Sequence, residues 1–181
     1  MKKVEHGKTF DRNAANPPAF EIFHNTVTEG YPKHWHTAIE IIMPTRGEYE
    51  VVVGKDSYNL KEGDIIMINS GVVHGMRFVS QGERIVMLVE PGCVENQEEM
   101  ETIFLRLPAI YFKKEDEEDP FYLFLRSQIL ELVREYDNEG AVMTHRICTG
   151  LKELFSEFGR KGFSDANAQL SLIHISEPTR P

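Results

Sequence analysis

The chain has 181 residues, 41% of them hydrophobic, and a formal net charge of -9. This length predicts one domain with an adequate core, and no apolar run is long enough to indicate a signal peptide or a membrane span. The acidic balance excludes nucleic-acid binding by this stretch itself, since attraction to phosphates needs clustered lysine and arginine. Cys93 and Cys148 lie far apart without motif spacing, so we predict reduced packing residues in a cytoplasmic protein.

The first half of the chain has the pattern of short β-strands. A polar arm, residues 1–18, precedes a first strand at 20–24, and a longer strand is predicted at 34–43. Short strands separated by turn residues indicate an antiparallel β-barrel rather than a parallel sheet, and we assign residues 19–92 to this barrel. Its remaining strands are predicted at residues 48–53, 57–60, 65–68, 72–79 and 84–89.

Residues 93–168 are predicted to be a mostly helical segment. A short helix is expected at 95–105 and a solvated, charged loop at 113–120. The last residues, 169–181, resemble the conceptual translation of an adapter used in DNA sequencing libraries, so we exclude this tail from the fold. We therefore expect the natural protein to continue past Gln169.

Two amphipathic helices are predicted within the helical segment. Apolar residues recur every three or four positions from Phe121 to Tyr136 and again from Met143 to Phe158. The break between them, residues 137–140, is short enough to make an antiparallel helix pair. Each helix has more apolar residues than one stripe needs, so we expect one side to pack on the barrel and another to form a homodimer. The stripe expected to be exposed includes Leu151 and Leu154.

The predicted strand at 34–43 carries three polar groups at even positions. Because successive side chains of a strand point to opposite faces, His34, His36 and Glu40 share one face. A strand with both faces covered is typical of a small barrel, so these groups are predicted to point into an enclosed pocket. A lone strand histidine such as His24 is predicted to lie at the surface or the core rim. The apolar opposite face consists of Trp35, Ile39, Ile41 and Met43.

At these residues the sequence resembles the cupin superfamily. The first cupin motif is matched by His34, His36, Glu40 and Gly47, while its leading glycine, Gly30, lies two residues closer than usual. The resemblance implies a mainly β fold, an antiparallel double-stranded β-helix or jelly-roll barrel.

The second cupin motif is matched by Gly63, Gly71 and His74. Asn69 stands in place of the motif's proline and Phe78 in place of its asparagine. The resemblance implies that His74 joins the histidines and the glutamate of the first motif in the pocket.

A cupin barrel followed by two amphipathic helices resembles the amino-terminal sensor half of AraC-type transcription regulators. The resemblance extends from about Phe20 to Arg160. It implies that the barrel binds a small effector, often a sugar or related metabolite, and that the helices dimerise. It also implies DNA binding by a carboxy-terminal pair of helix-turn-helix motifs that this chain does not show. On this interpretation the protein is a sensor and not an enzyme.

A metal-dependent cupin enzyme, such as a dioxygenase or an isomerase, is the alternative interpretation. The residues His34, His36, Glu40 and His74 would then hold iron, manganese, zinc or nickel, with open positions for a substrate. A sensor can use the same four residues without metal, because a carboxylate accepts hydroxyl hydrogen bonds and an imidazole donates or accepts them. The sequence therefore does not decide whether a divalent metal cofactor is bound. A binding or storage cupin is a third interpretation.

Overall fold

The computed structural model describes residues 19–26, 30–93, 109–114, 118–138 and 140–164, with residues 159 and 161–164 described by their backbone alone. The predicted arm at 1–18, the helix at 95–105 and the tail at 169–181 lie outside the described residues.

The described strands form two antiparallel sheets that enclose a common interior. Residues from both sheets, including Ile42, Ile66, Val51 and Met76, share one buried cluster between the sheets. The first sheet has the order β1 (Phe20–Asn25), β8 (Glu83–Val89), β3 (Ile39–Arg46), β6 (Ile65–Ile68) and β9 (Ala109–Phe112). The second has the order β2 (Tyr31–His34), β7 (His74–Phe78), β4 (Tyr49–Val53) and β5 (Asp56–Leu60).

The alternating sides of β3 and β8 divide the core into two layers. Odd-numbered residues such as Ile41 and Met87 belong to a cluster that includes the helices, whereas Ile42 lies between the sheets. Ile42 pairs with Val86, and Glu40 pairs with Leu88, so these four side chains share the interior face. Both faces of the two strands are covered, which explains their nearly continuous apolar sequences.

Two helices, α1 (Pro120–Asp137) and α2 (Met143–Ser164), follow the barrel. The side chain of Asp119 caps α1 by accepting a 2.8 Å hydrogen bond from the Phe121 N–H, and Pro120 occupies a first-turn position. Near the connecting loop, the Arg146 guanidinium donates a hydrogen bond to the Glu135 carboxylate. At the ends of the helices away from this loop, the ring centroids of Phe121 and Phe158 lie 5.2 Å apart. These contacts make the pair antiparallel, so the predicted class, an antiparallel barrel followed by an antiparallel helix pair, is confirmed.

The prediction of one strand at 34–43 is wrong. The chain leaves the second sheet after His34 and enters the first sheet at Ile39, so β2 and β3 belong to different sheets. Trp35 lies in this crossing and is 54% exposed, whereas a covered position was expected. The period-two rule applies only within a continuous strand, and it therefore could not describe a chain that changes sheets at this point.

Two further predictions from the sequence are wrong: the absence of a strand after residue 92, and the exposure of one apolar stripe on the second helix. β9 lies within the segment predicted as helical and pairs antiparallel with β6; a four-residue apolar run is too short to be told from helix by its period. Leu151 and Leu154 are fully buried inside the chain, in the cluster between the helices and the first sheet. The expectation that they are exposed is wrong because the barrel already covers them. None of the described helices is long and apolar enough to cross a membrane.

Candidate metal or ligand site

Glu40 is the centre of a buried polar cluster inside the barrel. Its Oε2 atom lies 3.1 Å from Nε2 of His36 and 2.7 Å from Nε2 of His74. His34 is exposed, but its ring centroid is 4.5 Å from that of His74 and 5.6 Å from that of His36. One ligand atom from each of the four residues lies within 4.8 Å of the others. The structure thus brings together all four residues that the sequence singled out. The expectation of an enclosed position is wrong for His34, which is exposed because β2 is an edge strand of its sheet.

Both sheets contribute to this convergence. His34 ends β2 and is paired with His74, which begins β7 of the same sheet. Glu40 comes from β3 of the other sheet, and His36 lies in the crossing between β2 and β3. The backbone N–H of Gly71 donates a 2.9 Å hydrogen bond to the carbonyl of His36, which ties this crossing to the loop before β7.

The three histidines share the same hydrogen-bonding arrangement at Nδ1. Each Nδ1 atom lies within hydrogen-bond distance of a backbone carbonyl two residues earlier or later. The distances are 2.9 Å from His34 to Pro32, 2.9 Å from His36 to Ala38, and 2.7 Å from His74 to Val72. Because a carbonyl only accepts, each Nδ1 carries a proton, and Nε2 is the atom left to face a ligand. Metal-binding histidines are commonly held in this way.

The protonation of the cluster follows from these contacts. Without a metal, His74 must carry a second proton on Nε2 to donate to the Glu40 carboxylate, because the Val72 carbonyl already holds its Nδ1 proton. Burial by itself would raise the pKa of Glu40, but the hydrogen bonds from both histidines and their charges lower it from 4.5 to about 2. Burial would lower the pKa of His74, but the Glu40 bond and charge and the Val72 carbonyl raise it above its ordinary 6.5.

The donor set fits a divalent metal. Three imidazole nitrogens and a carboxylate oxygen suit zinc, iron, manganese or nickel, and a cation here would replace the Nε2 proton of His74 that otherwise faces Glu40. His34, His36, Glu40 and His74 are the residues that could hold it. A bound metal would supply a Lewis acid able to anchor or polarise an oxygen-containing ligand.

Two other polar residues of the barrel, His24 and Arg84, are not part of this cluster. His24 lies outside the cluster, with Nε2 3.4 Å from the Thr45 hydroxyl and 3.8 Å from Glu83. The sequence predicts Arg84 only as the first residue of a strand, whereas in the structure it is 0% exposed. It alternates with Ile85 and shares the inward side of β8 with Val86. A charged residue on the inward side of an apolar strand is the signal that could have identified it.

Comparison with a family model supports this fold. Residues 25–90 match the model described as Cupin domain. This segment contains β2 to β8 and all four residues of the polar cluster. The cupin resemblance is therefore confirmed for this part of the chain. No curated protein sequence matches the chain.

Solved structures from several bacteria match parts of this chain. Apo ToxT K231A from Vibrio cholerae is 14% identical with a TM-score of 0.52, and the match covers 91% of this chain and 62% of ToxT. A protein of unknown function from Streptococcus pyogenes is 18% identical, with 40% and 63% of the two chains covered and a TM-score of 0.36. An oxalate decarboxylase mutant from Bacillus subtilis is 18% identical, with 40% and 21% covered and a TM-score of 0.37. The chain spans less than two thirds of the length of each of these structures, and at 14% identity the likeness to ToxT concerns the fold alone.

Proposed function

We propose that this chain is the effector-sensing part of an AraC-type transcription regulator acting in the cytoplasm. The support is an architecture in which a cupin barrel with a buried polar cluster is followed by an antiparallel helix pair. ToxT, an AraC-family regulator, shares this fold over 91% of the chain. DNA binding would reside in a carboxy-terminal pair of helix-turn-helix motifs that the described chain does not include.

One observation carries the sensing function. Glu40 faces the interior cluster from β3, while its neighbours Ile39 and Ile41 face the other side and belong to the same buried cluster as both helices. A ligand that changes the position of β3 by contacting Glu40 would therefore change the packing surface of the helices. Tightly packed cores transmit such displacements because they have few voids in which to absorb them.

The ligand proposed for the cluster is a small polar metabolite, a sugar or a sugar derivative. The Glu40 carboxylate accepts hydrogen bonds from hydroxyl groups, and the Nε2 atoms of His34 and His74 donate to or accept from them according to protonation. A divalent metal at the same four residues would bind sugar oxygens in addition. The two arrangements differ in whether the added metal is required for binding.

A thermal-shift screen tests this proposal. Carbohydrates and organic acids are added with and without Zn²⁺ or Mn²⁺, and a ligand present at a hundredfold excess over Kd should stabilise the fold by about 2.7 kcal/mol. The shift should disappear in Glu40→Ala and in the better-matched Glu40→Gln. It should persist in Glu62→Ala, a control on an exposed turn. A shift that survives both Glu40 variants would contradict the proposed site.

We also propose that the helices pair two chains into a homodimer. With Leu151 and Leu154 buried, the large hydrophobic residue exposed within the described helices is Leu123 of α1, which is 50% exposed, and Leu130 is partly buried seven residues later. These two leucines lie on one side of the helix. A partner helix covering this side would place the dimer contact directly behind the helix face that packs on the barrel.

A metal-dependent enzyme is the second candidate, favoured by the complete set of three histidines and one carboxylate and by the backbone carbonyl that holds Nδ1 of each histidine. It predicts that a ligand found in the screen is consumed in the presence of metal, and that consumption stops in His34→Ala and His74→Ala. Binding without consumption supports the sensor. Mass spectrometry of the ligand after incubation separates the two outcomes.

A further inference from the structure

We propose that Arg84 binds the carboxylate of an organic acid inside the barrel, at a position distinct from the four-residue cluster around Glu40. The proposal rests on the effector-sensing function above, because it specifies the chemical class of the ligand. Arg84 is 0% exposed, and none of its three guanidinium nitrogens has a hydrogen-bond partner among the described residues.

A buried arginine without an acceptor is unusual. The guanidinium is always charged and has five N–H donors in a planar fork. The contacts that the structure gives it are the rings of Tyr49, 4.8 Å from the guanidinium carbon, and Tyr31, 5.4 Å from it. Aromatic faces attract a cation, but they do not provide the strong hydrogen-bond acceptors that an anion provides. An anionic ligand would satisfy both the charge and the fork.

Neighbouring side chains extend this unsatisfied site. Asn25 is paired with Arg84 across β1 and β8, and its side-chain oxygen is buried without a hydrogen-bond partner among the described residues. The Tyr49 hydroxyl is in the same condition. Buried polar groups are rarely left unpaired, and here three such side chains lie at one end of the barrel interior. A ligand with two oxygens can take hydrogen bonds from Arg84 and the Tyr49 hydroxyl together.

The charge of the site selects a carboxylate over a phosphate. Among the described residues Arg84 is the only buried lysine or arginine. One guanidinium neutralises a monoanion and matches its two oxygens in a bidentate pair. A phosphate dianion would keep an excess negative charge in a buried site, which is costly without a second cation.

The apolar side chains between Arg84 and Glu40 on the interior face indicate that the acid would have an apolar surface next to its carboxylate. Arg84 and Leu88 are four residues apart on β8, and Leu88 pairs with Glu40, so the two polar positions are about 13 Å apart along the strand. The intervening level is apolar and consists of Phe23, Val86 and Ile42, which are paired across neighbouring strands. The acid would place its carboxylate at Arg84 and its body against this apolar level, pointing towards the cluster.

Matched pairs of acids and neutral analogues test the assignment by calorimetry on the full chain. The probes are hexanoate with hexan-1-ol, glucuronate with glucose, and inorganic phosphate. At least one acid should bind saturably, about tenfold or more tighter than its neutral analogue and than phosphate. Arg84→Met should remove this preference, and Arg77→Met, a change in an exposed ion pair, should leave it intact. Equal binding of acid and analogue, no acid binding, or preferential phosphate binding would overturn the proposal.

The ligand-free protein provides an independent readout. Removing an unpaired buried charge should leave the melting temperature of Arg84→Met unchanged or raised, whereas a structural arginine would lower it or prevent folding. If Arg84→Met does not fold, Arg84→Lys takes its place, because lysine keeps the charge but not the planar fork of donors. Weaker acid binding by a folded Arg84→Lys supports the proposal. Native-like acid binding by Arg84→Lys, or its failure to fold, contradicts the proposal. Glucose binding that depends on Glu40 but not on Arg84 would preserve the sensor function while refuting the acid site.

Discussion

Nε2 of His74 lies 2.7 Å from Oε2 of Glu40, and this contact joins the two sheets of the barrel through one buried hydrogen bond. His74 comes from β7 and Glu40 from β3, 34 positions earlier in the chain. The second ring nitrogen of His74 is held by the Val72 carbonyl. The protonation state of this pair therefore affects the stability of the fold.

The first prediction is that the metal-free protein loses stability as pH rises above neutrality. The pKa of His74 is raised in the folded state, so its contribution to stability is fully present below 6.5 and is lost as pH rises through the folded value. The pKa of Glu40 is lowered, so its contribution is present above 4.5 and is lost as pH falls towards about 2. The contribution of the pair should therefore be greatest between these limits.

Urea unfolding with a chelator at about pH 6 and about pH 8.5 measures this effect. His74→Gln should reduce the difference in unfolding free energy between the two pH values. His145→Gln, a change on the exposed side of α2, should leave it as in the native chain. An unchanged difference in His74→Gln would show that other groups produce the pH dependence.

The second prediction concerns metal binding. A divalent metal should displace the Nε2 proton of His74, so its affinity should fall as pH decreases and its binding should release protons. Calorimetry with Zn²⁺ in two buffers of different ionisation enthalpy counts those protons. His34→Ala should weaken binding by about tenfold or more, and His24→Ala should not. Equal losses in the two variants would indicate binding elsewhere.

The third prediction concerns Cys93 and Cys148, whose sulfur atoms lie 3.4 Å apart although the residues are 55 positions apart in the chain. Burial, followed by the hydrogen bond to Cys148, raises the pKa of Cys93 to about 12, so the pair should stay reduced at neutral pH. Diamide, which accepts two electrons and two protons, should slowly form a disulfide. Closing a loop of this length should stabilise the fold by ~4 kcal/mol.

Thiol counting and melting curves before and after diamide treatment check this prediction. Cys148→Ser should abolish the stabilisation and leave one reactive thiol in the unfolded chain. A native chain that keeps both thiols after prolonged treatment would show that the surrounding packing prevents the sulfurs from reaching the disulfide length of about 2.05 Å.

The fourth prediction distinguishes the proposed dimer surface around Leu123 of α1 from the buried core around Leu151. Leu123→Glu should shift a monomer–dimer equilibrium towards monomer in sedimentation, since it places a charge on the exposed side of α1. Ser156→Glu, on the exposed side of α2, should not. Leu151→Ala should instead destabilise folding by about 2–5 kcal/mol because it opens a cavity in a buried cluster. A chain that is monomeric at high concentration would contradict the homodimer.

Local patterns in the sequence were sufficient for much of the architecture. The apolar spacing from Phe121 and from Met143 predicted both helices, and the short break between them predicted their antiparallel packing, since both properties depend on residues close in the chain. The turn residues between short apolar runs predicted an antiparallel barrel. The motif spacing around His34 and His74 identified the four residues of the polar cluster.

Tertiary structure decided which of these side chains meet and which surfaces remain free. The chain crosses between sheets after His34, so the approach of His34 to Glu40 comes from closure of the barrel and not from one strand's alternation. The contact between Cys93 and Cys148 depends on residues distant in sequence. The burial of the Arg84 guanidinium without a hydrogen-bond acceptor depends on such residues as well. Periodicity records only which side of an element a residue occupies. Burial and unpaired charge depend on what packs against that side, which only the folded chain determines.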